Sequence, residues 1–314
     1  MSKLAFVFPG QGSQTVGMGK ELADKYDDVA SFFKKADEKL GTDLSSVIFE
    51  GPQEKLTLTT NAQPALLTTS VAILQRLKAE GIQADYTAGH SLGEYSALVA
   101  AGSLSFEDAV YAVRKRGEFM EEAVPSGEGT MAAVLGMDRE SLKVITDRVS
   151  EEGQQVGLAN LNCPGQIVIS GTVKGVEAAS ECAKEEGAKR VIPLQVSGPF
   201  HSQLMKPAAE KFVSILDSMN IDDADVPVIA NVTASPVTDA EEIKRLLIEQ
   251  LYSPVLWEDT VEKLLALGVD TFVEIGSGKV LSGLIKKVNR RVKIFAVQDE
   301  ASLTEMIETL KEEA

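Results

Sequence analysis

Short apolar runs rich in Val, Ile, Phe and Ala fall at residues 4–8, 85–88, 226–230, 271–275 and 292–296. Between them, apolar positions recur at helical spacing over 18–40, 62–80, 94–101, 106–122, 201–219, 240–251, 257–267 and 279–287, and a last helix ends the chain. Strands alternating with helices predict a mostly parallel sheet with helices on both faces. One region breaks that rhythm. It predicts a strand at 131–135, a helix at 139–150, strands at 155–159 and 166–170, a helix at 173–186 and a strand at 189–193. This β-α-β-β-α-β order is the ferredoxin-like arrangement. The expected architecture is therefore an α/β-hydrolase-like large domain, residues 1–126 and 197–314, with a ferredoxin-like insertion at 127–196. The turn-forming segment Pro125-Ser126-Gly127-Glu128-Gly129 marks the entry to the insertion.

Composition narrows the picture. Of 314 residues, 44% are hydrophobic but only 5% aromatic, so the core is built from aliphatic side chains, as buried parallel strands require. The net charge of −16 leaves no basic footprint for nucleic acid. The two cysteines, Cys163 and Cys182, form no C-x-x-C pair. They suit a reducing compartment and read as packing residues, neither a disulfide nor a zinc site. The apolar run after Met1-Ser2-Lys3 is too short for a signal peptide or a membrane span. A soluble, cytoplasmic protein with no membrane association is expected.

The candidate chemistry starts at Gly89-His90-Ser91-Leu92-Gly93, a G-x-S-x-G sequence between a strand and a helix. Such a turn presents the serine hydroxyl at a sharp bend, with the helix N-terminus aiming N–H groups beside it. Ser91 and Glu94 also match an S-x-x-E capping box, so a helix cap competes with a nucleophile. A nucleophilic serine needs a base, and the chain has two histidines. His90 adjoins Ser91 and is expected to point away from it, into the wall behind. His201, in Val196-Ser197-Gly198-Pro199-Phe200-His201-Ser202, leads into a predicted helix whose N-terminus would keep it neutral. No acidic third member stands out, so a backbone or amide oxygen is the expected orienting group. The oxyanion hole needs the N–H of Leu92 and a second donor from an early glycine-rich turn. Gly10-Gln11-Gly12 fits, whereas a dinucleotide loop is excluded by Thr15 at the last glycine position and by Pro9. In Arg114-Lys115-Arg116 a guanidinium facing the pocket would hold a carboxylate, and spacing does not choose between Arg114 and Arg116.

Together these segments, with Phe8 to Gln14, Asn160 to Gly171 and Gln250-Leu251-Tyr252-Ser253-Pro254-Val255-Leu256-Trp257, resemble the malonyl-CoA:acyl carrier protein transacylases, in order along the chain. The resemblance implies Ser91 as nucleophile, His201 as base and Arg116 as the clamp on the malonyl carboxylate. It implies the N–H groups of Gln11 and Leu92 as the oxyanion hole and Gln250 as the source of the oxygen that orients His201. Phe200 would favour malonyl over branched acyl groups. It further implies a ping-pong acyltransferase of fatty-acid synthesis, moving malonyl from coenzyme A to serine and then to the phosphopantetheine thiol of acyl carrier protein, with no metal or other cofactor. A monomer is expected. A thioester hydrolase on the same fold and a non-catalytic scaffold with Ser91 as a cap are the competing readings. Since acyl carrier proteins are acidic, docking needs a local basic patch. Lys286-Lys287-Val288-Asn289-Arg290-Arg291-Val292-Lys293 is the densest cluster, though a solvated helix end explains it equally.

Overall fold

The computed structural model describes residues 3–125 and 127–312. Met1, Ser2 and Ser126, the last at the expected domain boundary, lie outside the described residues. The strands in chain order are β1 (Lys3–Phe8), β2 (Tyr86–Gly89), β3 (Gly129–Leu135), β4 (Val156–Cys163), β5 (Gln166–Thr172), β6 (Arg190–Pro193), β7 (Val228–Ile229), β8 (Pro236–Val237), β9 (Val269–Ile275) and β10 (Lys293–Val297).

They form two sheets. The larger runs β10-β9-β1-β2-β7-β8, parallel except for the β7–β8 pair. Ala5, Val7 and Ala88 of its central strands are wholly buried, which is why these strands are apolar throughout. The smaller runs β4-β5-β3-β6, antiparallel throughout, with helices Arg139–Glu151 and Val173–Glu185 between its strands. That is the βαββαβ order read from the sequence. Its own core joins Val134, Leu142, Ile145, Ile169 and Val176. The smaller sheet is tied to the segment before helix Trp257–Ala266, where Val255 accepts from the Leu161 N–H (2.9 Å) and donates to the Ala159 carbonyl (2.8 Å).

Several elements differ from the sequence reading. The helix expected over 18–40 is two, Lys20–Lys25 and Asp27–Leu40, broken at the extended Tyr26. Helices Leu44–Glu50 and Gln53–Thr57 and strand β8 were not expected, being too short for a periodic signal. The helix expected from residue 201 starts as a single 3₁₀ turn at Gln203–Met205 and becomes α-helical only over Lys206–Asp217. His201 therefore precedes it, in a left-handed conformation at φ 56°.

Candidate active site

The nucleophile elbow is dictated by close packing. β2 ends at Gly89, Ser91 takes φ 53°, and helix Gly93–Ala100 follows. A Cβ on Gly89 would lie 2.0 Å from the Gly93 carbonyl, and one on Gly93 would lie 2.2 Å from the Phe8 carbonyl. Only glycine fits at either position, so the motif is a steric requirement of strand, turn and helix crossing at this distance. A left-handed serine is strained and persists because its surroundings hold it.

The capping-box reading fails. The helix has no side-chain cap, and Ser91 Oγ instead lies 2.7 Å from His201 Nε2 and 3.1 Å from Arg116 Nη2. His201 Nδ1 lies 2.8 Å from the Gln250 main-chain carbonyl. A carbonyl only accepts, so Nδ1 carries the proton and Nε2 is free to accept from the serine hydroxyl. The expected oxygen is thus supplied by the backbone of Gln250. Burial, reinforced by the Arg116 charge, pulls the His201 imidazole down to about 3. Burial and the Arg116 charge account for the neutral state, and the helical segment expected to favour it starts two residues on, at Gln203.

The structure separates the two arginines. Arg114 is partly exposed and donates to Asn61 Oδ1 at 2.9 Å. Arg116, on helix Phe106–Glu122, is 1% exposed and donates to Gln63 Oε1 (2.8 Å) and Gln250 Oε1 (2.9 Å) as well as to Ser91. Burial lowers its proton affinity, and the Glu94 carboxylate opposes that shift.

Ser91, Arg116, His201, Gln11, Leu92 and Phe200 line one cavity of about 160 Å³, beyond the C-terminal ends of β1 and β2, where parallel α/β sheets place their sites. The main-chain N–H groups of Gln11 and Leu92 donate to no other described residue. His90 also lines this cavity, in place of the wall behind Ser91; its Nε2 pairs with Asn162 Oδ1 at 2.8 Å. A larger cavity of about 360 Å³ reaches the other side of His201 but is not lined by Ser91. Among the described residues no group of His, Cys, Asp or Glu is arranged to hold a metal, and both cysteines are free thiols.

Three site residues carried no usable sequence signal. Gln63 sits in the apolar helix Thr59–Ala79. Asn231 follows β7, and its Oδ1 accepts from the Ser91 N–H at 2.7 Å. Glu94, which the capping-box pattern assigns to the helix start, instead accepts from Gln250 Nε2 (2.7 Å) and the Asn231 N–H (3.2 Å). Burial pushes Glu94 up to about 7, against the opposing pull of those bonds and of Arg116. Only the position of Asn231 just past the end of a parallel strand could have marked it.

The basic cluster is partly engaged. Lys286 Nζ donates to the Val292 carbonyl beyond the helix end (2.6 Å) and Lys287 Nζ to Gln166 Oε1 of β5 (2.7 Å).

Comparison with known proteins gives the family of the chain. The acyl transferase domain family matches residues 5–313. The malonyl CoA-acyl carrier protein transacylase of Bacillus subtilis is 68% identical over 313 residues, covering 100% of this chain and 99% of its own. That of Staphylococcus aureus strain MRSA252 is 50% identical, covering 95% and 96%. Among solved structures, the Coxiella burnetii malonyl CoA-acyl carrier protein transacylase superposes with a TM-score of 0.96 at 42% identity, covering 98% of each chain. A malonyl-transacylase solved in complex with its type II polyketide acyl-carrier protein superposes at 0.95 with 44% identity, covering 98% of this chain and 100% of that one.

Proposed function

The chain belongs to the acyl transferase domain family, and from that premise we propose how its site carries out the reaction. The protein is a transferase that moves a malonyl group from malonyl-CoA to the phosphopantetheine thiol of acyl carrier protein, supplying fatty-acid synthesis. The observation that carries the mechanism is the contact of Ser91 Oγ with both His201 Nε2 and Arg116 Nη2 in one cavity.

His201 takes the Ser91 proton as Oγ attacks the thioester carbonyl. The tetrahedral oxyanion is held by the N–H groups of Gln11 and Leu92. Collapse breaks the C–S bond, and His201 returns its proton to the departing coenzyme A sulfur, leaving malonyl-serine. The carrier thiol then gives its proton to His201, attacks the ester, and Ser91 recovers the proton as it leaves. Arg116 pairs with the malonyl carboxylate, while Gln63 and Gln250 hold its guanidinium in place. Phe200, 6% exposed in the same cavity, limits room beside the acyl chain. On this reading the enzyme works as a cytoplasmic monomer, without metal or other cofactor and without nucleic acid, its two domains spanning 1–126 with 197–314 and 127–196.

Incubation with malonyl-CoA alone, followed by mass spectrometry, tests this. A malonyl adduct on Ser91, stable until a carrier thiol is added and absent in Ser91→Ala, is the expected result. Prompt release of free malonate with no acceptor would identify a hydrolase, and transfer surviving in Ser91→Ala would leave Ser91 a structural residue.

A further inference from the structure

Glu94 lies on the first turn of the helix behind the nucleophile and is 3% exposed. No step of the reaction above uses it. Its Oε2 accepts from the Asn231 main-chain N–H (3.2 Å) and from Gln250 Nε2 (2.7 Å). Both partners grip Ser91. Asn231 Oδ1 accepts from the Ser91 N–H (2.7 Å), and Asn231 Nδ2 anchors on the Gly89 carbonyl (2.7 Å). Gln250 Nε2 also donates to the Ser91 carbonyl (2.9 Å). One buried carboxyl thus ties down the two peptide units flanking the residue that holds φ 53°.

The same network reaches the rest of the site. The Gln250 amide has one orientation that satisfies all its partners, with Nε2 toward Glu94 and the Ser91 carbonyl and Oε1 toward Arg116 Nη2. Oε2 of Glu94 accepts in either protonation state, so it enforces that orientation. A reversed amide would set its N–H against the guanidinium, which only donates. A buried guanidinium also needs an opposite charge, and Glu94 acts on Arg116 in that sense.

We infer that Glu94 is a positioning residue for acyl transfer: through Asn231 and Gln250 it holds the Ser91 elbow in its reactive conformation, and through Gln250 it aims Arg116. The inference rests on Ser91 being the acylated residue. The test is Glu94→Ala, which removes the acceptor that Asn231 and Gln250 share. Acylation of Ser91 at saturating malonyl-CoA should slow roughly 10- to 100-fold, as small misplacements of reacting groups do. KM should stay within about threefold, and acylation by acetyl-CoA should slow by a similar factor, because the elbow serves both. Loss confined to malonyl would overturn the elbow assignment, and wild-type rates would overturn the whole.

If Glu94→Ala fails to fold, Asn231→Ala reads the same link. It should slow acylation by malonyl and acetyl alike, and a wild-type rate in this variant refutes the proposal. Where both variants fold, the double variant should lose no more than about threefold beyond the worse single, since neighbours in one network couple. Fully multiplicative losses would show two independent effects and count against a shared linkage. A Ser91→Ala control separates the failures: an adduct formed in its presence would sink the nucleophile assignment, whatever Glu94 does.

Discussion

Ser91 and His201 are both non-glycine residues in the left-handed region, at φ 53° and 56°, yet they are held there in different ways. The elbow around Ser91 is written into five residues, because the glycines at 89 and 93 let strand, turn and helix approach to distances no Cβ tolerates, and Asn231 and Gln250 then grip both sides of the serine. The His201 loop has no such local lock. Its imidazole is fixed by the carbonyl of Gln250, 49 residues later, and the following serine hydroxyl turns back to the Pro199 carbonyl at 2.6 Å. The turn that carries the nucleophile is therefore legible locally, whereas its base, its clamp and the groups that hold it are assembled by the packing of distant segments.

The strongest way to break this comparison is at the elbow itself. Gly93→Ala puts a methyl 2.2 Å from the Phe8 carbonyl. It should cost about 4 kcal/mol or more of stability, at the severe end for single substitutions, and acylation should fall by at least about 10³-fold. Urea unfolding and adduct formation measure both, and a stable, active Gly93→Ala would remove the steric argument. His201→Ala should instead leave the fold standing and slow acylation roughly 10²- to 10⁴-fold, the range for loss of a general base. Single-turnover kinetics with malonyl-CoA would show it. Arg116→Ala should lower malonyl acylation about 10²-fold while acetyl acylation is kept or raised, since only malonyl offers a carboxylate to a charge-assisted pair. Equal losses for both acyl groups would mean that the guanidinium serves the serine and not the substrate.

A subtler measure exploits the buried imidazole. With His201 down at about 3 when folded and near 6.5 when unfolded, the unfolded state binds more protons between those values. Stability is then full above about 6.5 and is lost as pH falls toward 3, by about 1.4 kcal/mol per unit. Wild type should lose about 2 kcal/mol more than His201→Gln between pH 6.5 and 5, by urea titration at each pH; parallel curves would mean the ring is solvated. The smallest effect is expected at the basic cluster. Lys286→Glu with Lys287→Glu should slow discharge to acyl carrier protein a few-fold, by weakening electrostatic steering, and spare acylation by malonyl-CoA. Equal changes in the two half-reactions would place docking elsewhere.

Much of this was legible in advance, and the exceptions have two causes. The strand–turn–helix at Ser91 and the βαββαβ order both follow from local residues. The short helices at 44–50 and 53–57 carry too few turns to show periodicity. Glu94 was misread because S-x-x-E has the same spacing whether the serine caps the helix or faces a cleft. Only the position of His201 shows which.

The sequence by itself determined the fold class, the elbow and the identity of the sole free base candidate, because periodicity, glycine sterics and a count of two histidines are properties of neighbouring residues or of composition. Tertiary structure alone decided that Arg116 and not Arg114 faces Ser91, that a backbone carbonyl orients His201, and that Gln63, Asn231 and Glu94 belong to the site. Those choices turn on which side chains lose water together when segments 25 to 159 residues apart pack into one cavity. Burial sets the direction of a proton or a guanidinium only after the chain has closed around it.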